Sequence, residues 1–254
     1  MNIALAIGAG AAGAAAGIGT GWLNVVLERV DRLRQEEDEE RAEYEAEVAA
    51  KAAAAAARGE EAEKAPAWLP EAYGWTWLEW GLAPVLGAFA FALFAGRQGL
   101  TWAGLENLLW MAVFLHIVTF DLKHRLILDK VTYPAAALAL VLAAVTPGLS
   151  FVRALAGGAV VGAFFLLFHL ASRRGIGLGD AKLGALIGAV TGLGFDSAAH
   201  LEAIYAVIFG VFLGGFVALI LLVTRLRSMK DPIPYGPFLC AGAALALFVN
   251  LPLT

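Results

Sequence analysis

Two aspartates stand at boundaries between polar stretches and long apolar segments of this chain. Asp180 lies in residues 175–183, a stretch that sets three glycines and a lysine between two apolar segments. Charge is costly in such surroundings, and glycine lets a backbone turn tightly or approach another chain closely. The pattern leaves two interpretations open. Either the carboxylate performs chemistry, or Asp180 is the N-cap of a helix that begins at Ala181.

Asp121 begins a second polar stretch, residues 121–130, directly after an apolar segment. If the helices that carry Asp121 and Asp180 are neighbours, their carboxylates can meet as a pair. Like charges at close range cannot both ionise easily, so the pair holds one proton. The ionised member can draw a proton from water while the protonated member donates to a carbonyl oxygen, which is the chemistry of an aspartic peptidase. The alternative for Asp121 is an ion pair with Lys123 or Arg125.

We expect structural roles for the other side chains that could do chemistry. Asp129 precedes an apolar segment and is expected to cap its helix. The single cysteine, Cys240, lies in an apolar segment and is expected to be a buried thiol, which excludes an intramolecular disulfide and a cysteine-based zinc site. His124 is expected in a loop, and the histidines share no spacing that predicts a metal site. They are His116, His124, His169 and His200.

The composition predicts a membrane protein, because 60% of the residues are hydrophobic and only 16% are charged. Residues 2–27 are long enough to cross a hydrocarbon layer of about 30 Å. The absence of Lys or Arg before Arg29 favours a retained helix over a cleaved signal peptide. The remaining apolar segments are residues 77–96, 103–120, 131–147, 151–172, 180–196, 200–224 and 234–252. We therefore predict an all-α polytopic membrane protein with about eight transmembrane helices.

The segment from Glu28 to about Pro70 is rich in Glu, Ala, Arg and Lys. These strong helix formers with mixed charges predict a soluble helix or helical hairpin. The segment has no apolar stripe, which indicates that much of its surface does not pack against another element. We divide the chain into residues 1–76, the first helix with this insertion, and residues 77–254, a membrane-embedded domain. An aromatic cluster at the boundary predicts an interfacial belt. Its members are Trp68, Tyr73, Trp75, Trp77 and Trp80.

The basic residues predict the orientation. Of the 18 Lys and Arg, all but Arg97 and Arg153 fall in alternate loops, beginning with the loop after the first helix. Because cytoplasmic loops carry the excess of basic residues, we expect the N-terminus outside the cell. The acidic insertion and both aspartates are then expected on the cytoplasmic side.

Four segments together resemble a known family. The stretch Gly177-Leu178-Gly179-Asp180-Ala181-Lys182-Leu183 resembles the Gly-x-Gly-Asp-x-Lys-Leu signature of the type IV prepilin peptidases, which are membrane-embedded aspartic peptidases. Residues 19–26 resemble the end of that family's first helix. Phe120-Asp121 with Asp129 resembles its first aspartate motif, and residues 233–239 resemble its Pro-Phe-Gly-Pro-Phe segment. The four occur in matching order over nearly the whole chain.

This resemblance implies that Asp121 and Asp180 are the catalytic pair, that Gly177 and Gly179 shape the loop of the second, and that Lys182 supports that loop. It implies a multi-pass protein of the inner (plasma) membrane with its active site facing the cytoplasm. The implied reaction is cleavage of a short basic leader from prepilins or pseudopilins, after a glycine and just before their hydrophobic helix. The partners would be these substrates and the lipid bilayer, and nucleic acid is not expected.

The sequence departs from the family in two places. Bifunctional members carry paired Cys-x-x-Cys motifs after the first helix, which bind zinc and support N-methylation of the new N-terminus. This chain has no cysteine there, which puts N-methylation in doubt, and we expect neither zinc nor S-adenosylmethionine as a cofactor. Leu128 also stands where many members have proline before Asp129.

Two alternatives from other functional classes remain open at this point. One is a related Gly-x-Gly-Asp intramembrane peptidase that acts on another substrate, such as a preflagellin. The other is a non-enzymatic transporter or assembly scaffold in which the carboxylates bind cations or cap helices. A transporter should show inverted repeats and ionisable groups near the bilayer midplane, whereas the two aspartates are expected at helix ends.

Overall fold

The part of the chain that the computed structural model describes is helical. It comprises residues 3–30, 33–58, 74–171, 177–193, 201–225 and 234–249, and no strand occurs within it. The helices in chain order are α1 Ile3–Val30, α2 Leu33–Ala57, a π-helical turn Leu78–Leu82 that runs into α3 Ala83–Gln98, α4 Trp102–His124, α5 Asp129–Val145, α6 Phe151–Ala171, α7 Leu178–Thr191, α8 Glu202–Val223 and α9 Gly236–Val249. The all-α fold class is confirmed.

Within the described residues, five helical segments are long and apolar enough to cross a membrane. They are α1, the continuous segment Leu78–Gln98, α4, α6 and α8. Helices α5, α7 and α9 have 17, 14 and 14 residues, short of the roughly 20 that cross the hydrocarbon layer. Every one of the eight predicted apolar segments contains a helix. The polytopic membrane architecture is thus confirmed, and the count of eight spans stays a prediction.

The insertion forms the predicted helix over its first half, as α2, and exposed ion pairs four residues apart lie on its surface. Its start was predicted too early, because α1 continues through Glu28. Trp75, Trp77 and Trp80 are exposed, as an interfacial belt requires. The rest of that predicted belt, Trp68 and Tyr73, lies outside the described residues.

Small residues bring two pairs of helices into close contact. A Cβ atom on Gly13 of α1 would lie 2.1 Å from the carbonyl oxygen of Gly87 in α3, and one on Gly157 of α6 would lie 2.1 Å from that of Gly188 in α7. Helices in membranes associate through this kind of small-residue packing because lipid offers no hydrophobic drive between them. Helix α7 also contacts α5, α8 and α9. It therefore lies at the centre of the described bundle, and its Leu183 is fully buried.

A buried ionic cluster joins α1, the π-helical turn and α4. The amine of Lys123 donates to Glu28 Oε1 at 2.6 Å, to Glu79 Oε1 at 3.0 Å and to the carbonyl oxygen of Gly74. All three charged side chains are at most 1% exposed. His124 Nε2 lies 3.0 Å from the same Glu28 oxygen. One lysine thus satisfies two carboxylates from two other parts of the chain.

This cluster corrects two predictions from the sequence. Lys123 binds Glu28 and Glu79, so the alternative in which Asp121 pairs with Lys123 is wrong. His124 is not a loop residue, since it is the last residue of α4 and is buried. The sequence shows neither contact, because the partners lie 44 to 96 positions apart.

Substituting Lys123 with methionine should weaken the fold. The change keeps the length of the side chain but leaves Glu28 and Glu79 buried without a cation. We expect the free energy of unfolding to fall by about 3–5 kcal/mol, measured by denaturant or thermal unfolding in detergent micelles. Lys51→Met is the matched control, because Lys51 pairs with Glu47 on the exposed surface of α2, and no measurable change is expected there. Equal stability of the two variants would contradict a structural role for the cluster.

Candidate active site

Asp121 lies in the last turn of α4, where the helix ends abruptly. Arg125 follows in the left-handed conformation, with φ of 52°, and its N–H donates to the carbonyl oxygen of Asp121 at 2.8 Å. The Asp121 side chain is only 4% exposed. The end of α4 thus holds a nearly buried carboxylate at the end of the bundle, and not at its centre.

The first residue of α9 fixes the orientation of this carboxylate. The N–H of Gly236 donates to Asp121 Oδ2 at 3.1 Å. A Cβ atom on Gly236 would lie 2.6 Å from that same oxygen. Only glycine allows the backbone to approach the carboxylate this closely. Gly236 belongs to the segment 233–239, of which residues 234–239 are described.

Asp180 lies in the first turn of α7 and is half-buried. The helix begins at Leu178 with Gly177 as its N-cap residue, so the alternative in which Asp180 is the N-cap of a helix from Ala181 is wrong. The N–H of Gly177 donates to Asp180 Oδ2 at 3.0 Å. Asp180 is the third residue of the helix, and its carboxylate accepts a hydrogen bond from one backbone N–H at the helix start. Negative charge at this end of a helix also interacts favourably with the helix dipole.

Gly179 lets the start of α7 approach the loop between α4 and α5. A Cβ atom there would lie 3.2 Å from Cβ of Ile127, a residue of that loop. Residues Gly175 and Ile176 at the beginning of the glycine-rich stretch lie outside the described residues.

The two aspartates line the same cavity, which has a volume of about 620 Å³. Gly177, Gly179 and Lys182 line it as well, so the structure brings together all five site residues predicted from the sequence. Two carboxylates that line one cavity repel each other when both are ionised, and one proton between them removes that repulsion. The remaining lining residues include Arg125, Ile127, Asp129, Lys130 and Tyr235.

Lys182 joins α7 to α5 at the edge of this cavity. Its amine donates to both carboxylate oxygens of Asp129, at 2.6 and 2.9 Å, and lies 5.5 Å from the centre of the Tyr133 ring. The predicted capping role of Asp129 is wrong. The N-cap residue is Leu128, and Asp129 is the first residue of α5 with its carboxylate bound to Lys182.

The sequence alone did not point to Gly236 or Tyr235 as parts of the site. Both fall in the segment that resembles the Pro-Phe-Gly-Pro-Phe motif, so a signal was present. It gave no role to individual residues, because a glycine that donates its N–H leaves no trace in charge or hydropathy.

The remaining titratable side chains show no sign of a metal centre within the described ranges. No group of three or more His, Cys, Asp or Glu side chains there could hold a metal ion. His116 is buried in α4 beside Phe120, and Cys240 is a buried free thiol, as predicted. His200 lies outside the described residues.

Comparison with known proteins points to one family. Residues 108–223 match the model of the type IV leader peptidase family. A protein of Burkholderia pseudomallei named prepilin leader peptidase/N-methyltransferase is 34% identical over 175 residues, which are 66% of this chain and 52% of that protein. A protein of the same name from Aeromonas hydrophila is 31% identical over 151 residues, which are 58% of this chain and 50% of that protein.

The chain spans about half the length of the curated relatives that it matches. No solved structure gave a significant match. The matched residues 108–223 include Asp121, Asp180 and the loop glycines Gly177 and Gly179. Through this segment the chain is similar to the type IV leader peptidase family.

Proposed function

We propose that this protein is a membrane aspartic endopeptidase that removes the leader peptide from type IV prepilins or pseudopilins. The observation that carries the proposal is that Asp121 and Asp180, at the ends of α4 and α7, line one cavity. The names of the relatives, prepilin leader peptidase/N-methyltransferase, support the choice of substrate.

The reaction needs one ionised and one protonated carboxylate. The ionised aspartate takes a proton from water, and the resulting hydroxide forms a bond to the carbonyl carbon of the scissile peptide. The protonated aspartate donates to the carbonyl oxygen. When the tetrahedral intermediate collapses, the carbon–nitrogen bond breaks and a proton passes to the leaving amine. The products are the leader with a new carboxyl end and the mature substrate with a new amino end.

The backbone contacts orient both carboxylates for this chemistry. Gly236 N–H holds Oδ2 of Asp121, and Gly177 N–H holds Oδ2 of Asp180. In each aspartate the second carboxylate oxygen, Oδ1, is the one that we propose faces water and substrate. Holding catalytic groups in place before the substrate arrives lowers the entropic cost of the reaction.

The site is proposed to face the cytoplasm, with the N-terminus of α1 outside the cell. The alternation of basic residues along the sequence supports this orientation. The basic leader of a substrate would then lie at the membrane surface while its apolar helix lies in the bilayer. A scissile bond between the two would be at the depth of Asp121 and Asp180.

We further propose that this chain cleaves without methylating. The insertion after α1 has no cysteine, so it lacks the zinc ligands that accompany methylation in the bifunctional members it resembles. The methyltransferase in the names of the relatives describes those proteins.

Asp121→Asn and Asp180→Asn should each abolish leader cleavage, by about 10³-fold or more, because an amide can neither accept the proton from water nor donate as an acid. The assay is cleavage of a purified prepilin from the same organism by membranes with equal amounts of inserted protein. Glu106→Gln is the matched control, since Glu106 lies near the opposite end of α4, where it accepts a hydrogen bond from Thr146. Normal cleavage by either aspartate variant would disprove the catalytic pair.

Gly236→Ala should lower kcat by about 100-fold, as expected for a misplaced catalytic group. Its Cβ atom would push Asp121 Oδ2 away and disturb the hydrogen bond that orients it. Gly215→Ala in α8 is the control, because a Cβ atom there meets nothing within 4 Å. If both variants cleaved at the normal rate, the orientation of Asp121 by α9 would not matter for the reaction.

Purified protein should transfer no methyl group from labelled S-adenosylmethionine to the new N-terminus of a processed pilin. A bifunctional relative assayed alongside gives the positive control. Labelled pilin in the presence of this protein would show that methylation does not need the missing cysteines.

A further inference from the structure

An apolar groove lies between α3, α4 and α9, with a volume of about 520 Å³. None of the described residues that line it is charged. Several of its residues are exposed at the surface of the bundle, among them Phe89 of α3, Leu122 of α4 and Leu245 of α9. The groove is thus open on the side that meets lipid.

The groove and the catalytic cavity are lined by residues that are near neighbours in the chain. Asp121 and Tyr235 line the catalytic cavity, and their near neighbours in the chain, Leu122 and Pro237, line the groove. The two cavities therefore adjoin along the end of α4 and the start of α9. A peptide that leaves the catalytic pair on this side enters the groove within a few residues.

The dimensions of the groove suit a helix. It follows α4 from Leu122 back to Met111, about 16 Å at 1.5 Å per residue, or roughly three helical turns. Along this length α9 contributes Ala241 and Ala244 to the lining. Such small side chains allow a second helix to approach closely.

We propose that this groove binds the first turns of the apolar helix that follows the cleaved bond of the substrate. The inference rests on the proposed function and adds to it the surface that holds the mature part of the substrate. A peptide can be extended in the polar catalytic cavity. It must become helical where it enters hydrocarbon, because its backbone groups have no other partners there.

This occupant explains why the groove and the catalytic cavity adjoin, which a bound lipid tail would not require. With this occupant, the catalytic cavity and the groove have different roles in recognition of the substrate. The catalytic cavity holds the scissile bond, and the groove fixes the position of that bond relative to the start of the substrate helix.

Ala241→Trp tests the groove. Ala241 is exposed, so an indole at this position would occupy the groove without entering the buried core. With a purified prepilin in proteoliposomes we expect kcat/KM to fall at least tenfold, mainly through KM. The matched control is Ala137→Trp, an exposed alanine in the middle of the short apolar helix α5 that lines neither cavity. Cleavage by Ala241→Trp at the control rate would overturn the groove assignment, and the groove would then be a lipid site.

A crosslinking experiment tests the same contact without relying on turnover. The background is Cys240→Ala, which removes the native thiol, together with Asp180→Asn, which leaves the precursor uncut. In this background Ala241→Cys should form a disulfide with a prepilin that carries one cysteine in the first turns of its apolar helix. Ala137→Cys should not. No adduct, or equal adducts from both positions, would overturn the inference. If the unmodified protein cleaved no prepilin, the proposed function would fail, and the crosslink would decide on the groove separately.

Discussion

The contact of the Lys123 amine with two buried carboxylates is the interaction on which the position of Asp121 depends. Lys123 follows Asp121 by two residues in the last turn of α4, and its partners Glu28 and Glu79 belong to α1 and to the π-helical turn before α3. A charge in an apolar bundle is tolerated only when it is paired. The same pairing therefore fixes α1, the π-helical turn and the end of α4 relative to one another.

The charged groups of this cluster and those of the adjoining cavity have different kinds of partner. Around Lys123, cation and carboxylates satisfy each other and are closed off from the surface. In the cavity, Asp121 and Asp180 receive one backbone N–H each and face one another's negative charge. Their remaining hydrogen-bonding capacity is available to water, a proton and a substrate. The stable cluster thus supports a site whose own charges are left for chemistry.

The sequence predicted the apolar helices, and it predicted that Asp121 and Asp180 can meet, which agrees with the cavity that both line. Hydropathy and the Gly-x-Gly-Asp stretch are local signals. Prediction failed where the outcome depends on contacts between distant segments. Glu28 was placed in a soluble insertion, although Asn24 and Glu28, four residues apart, lie on one face of a helix and both are buried. Asp129 has the local signature of a cap, but Lys182, 53 positions later, binds its carboxylate. Helices that are apolar on all faces also give no indication of which faces meet, so the close approach of Gly157 to Gly188 could not be predicted.

The central claim is that Asp121 and Asp180 act as one unit on the same reacting carbon. Its most direct test is the affinity for a leader peptide whose scissile amide is replaced by a hydroxyl-bearing isostere, which imitates the tetrahedral intermediate. Calorimetry should show that Asp121→Asn and Asp180→Asn each weaken binding by about 100-fold or more. The double variant should bind no more weakly than either single variant, because the effects of groups that act as a pair are not additive. Unchanged affinity in either single variant, or losses that multiply in the double variant, would contradict the account.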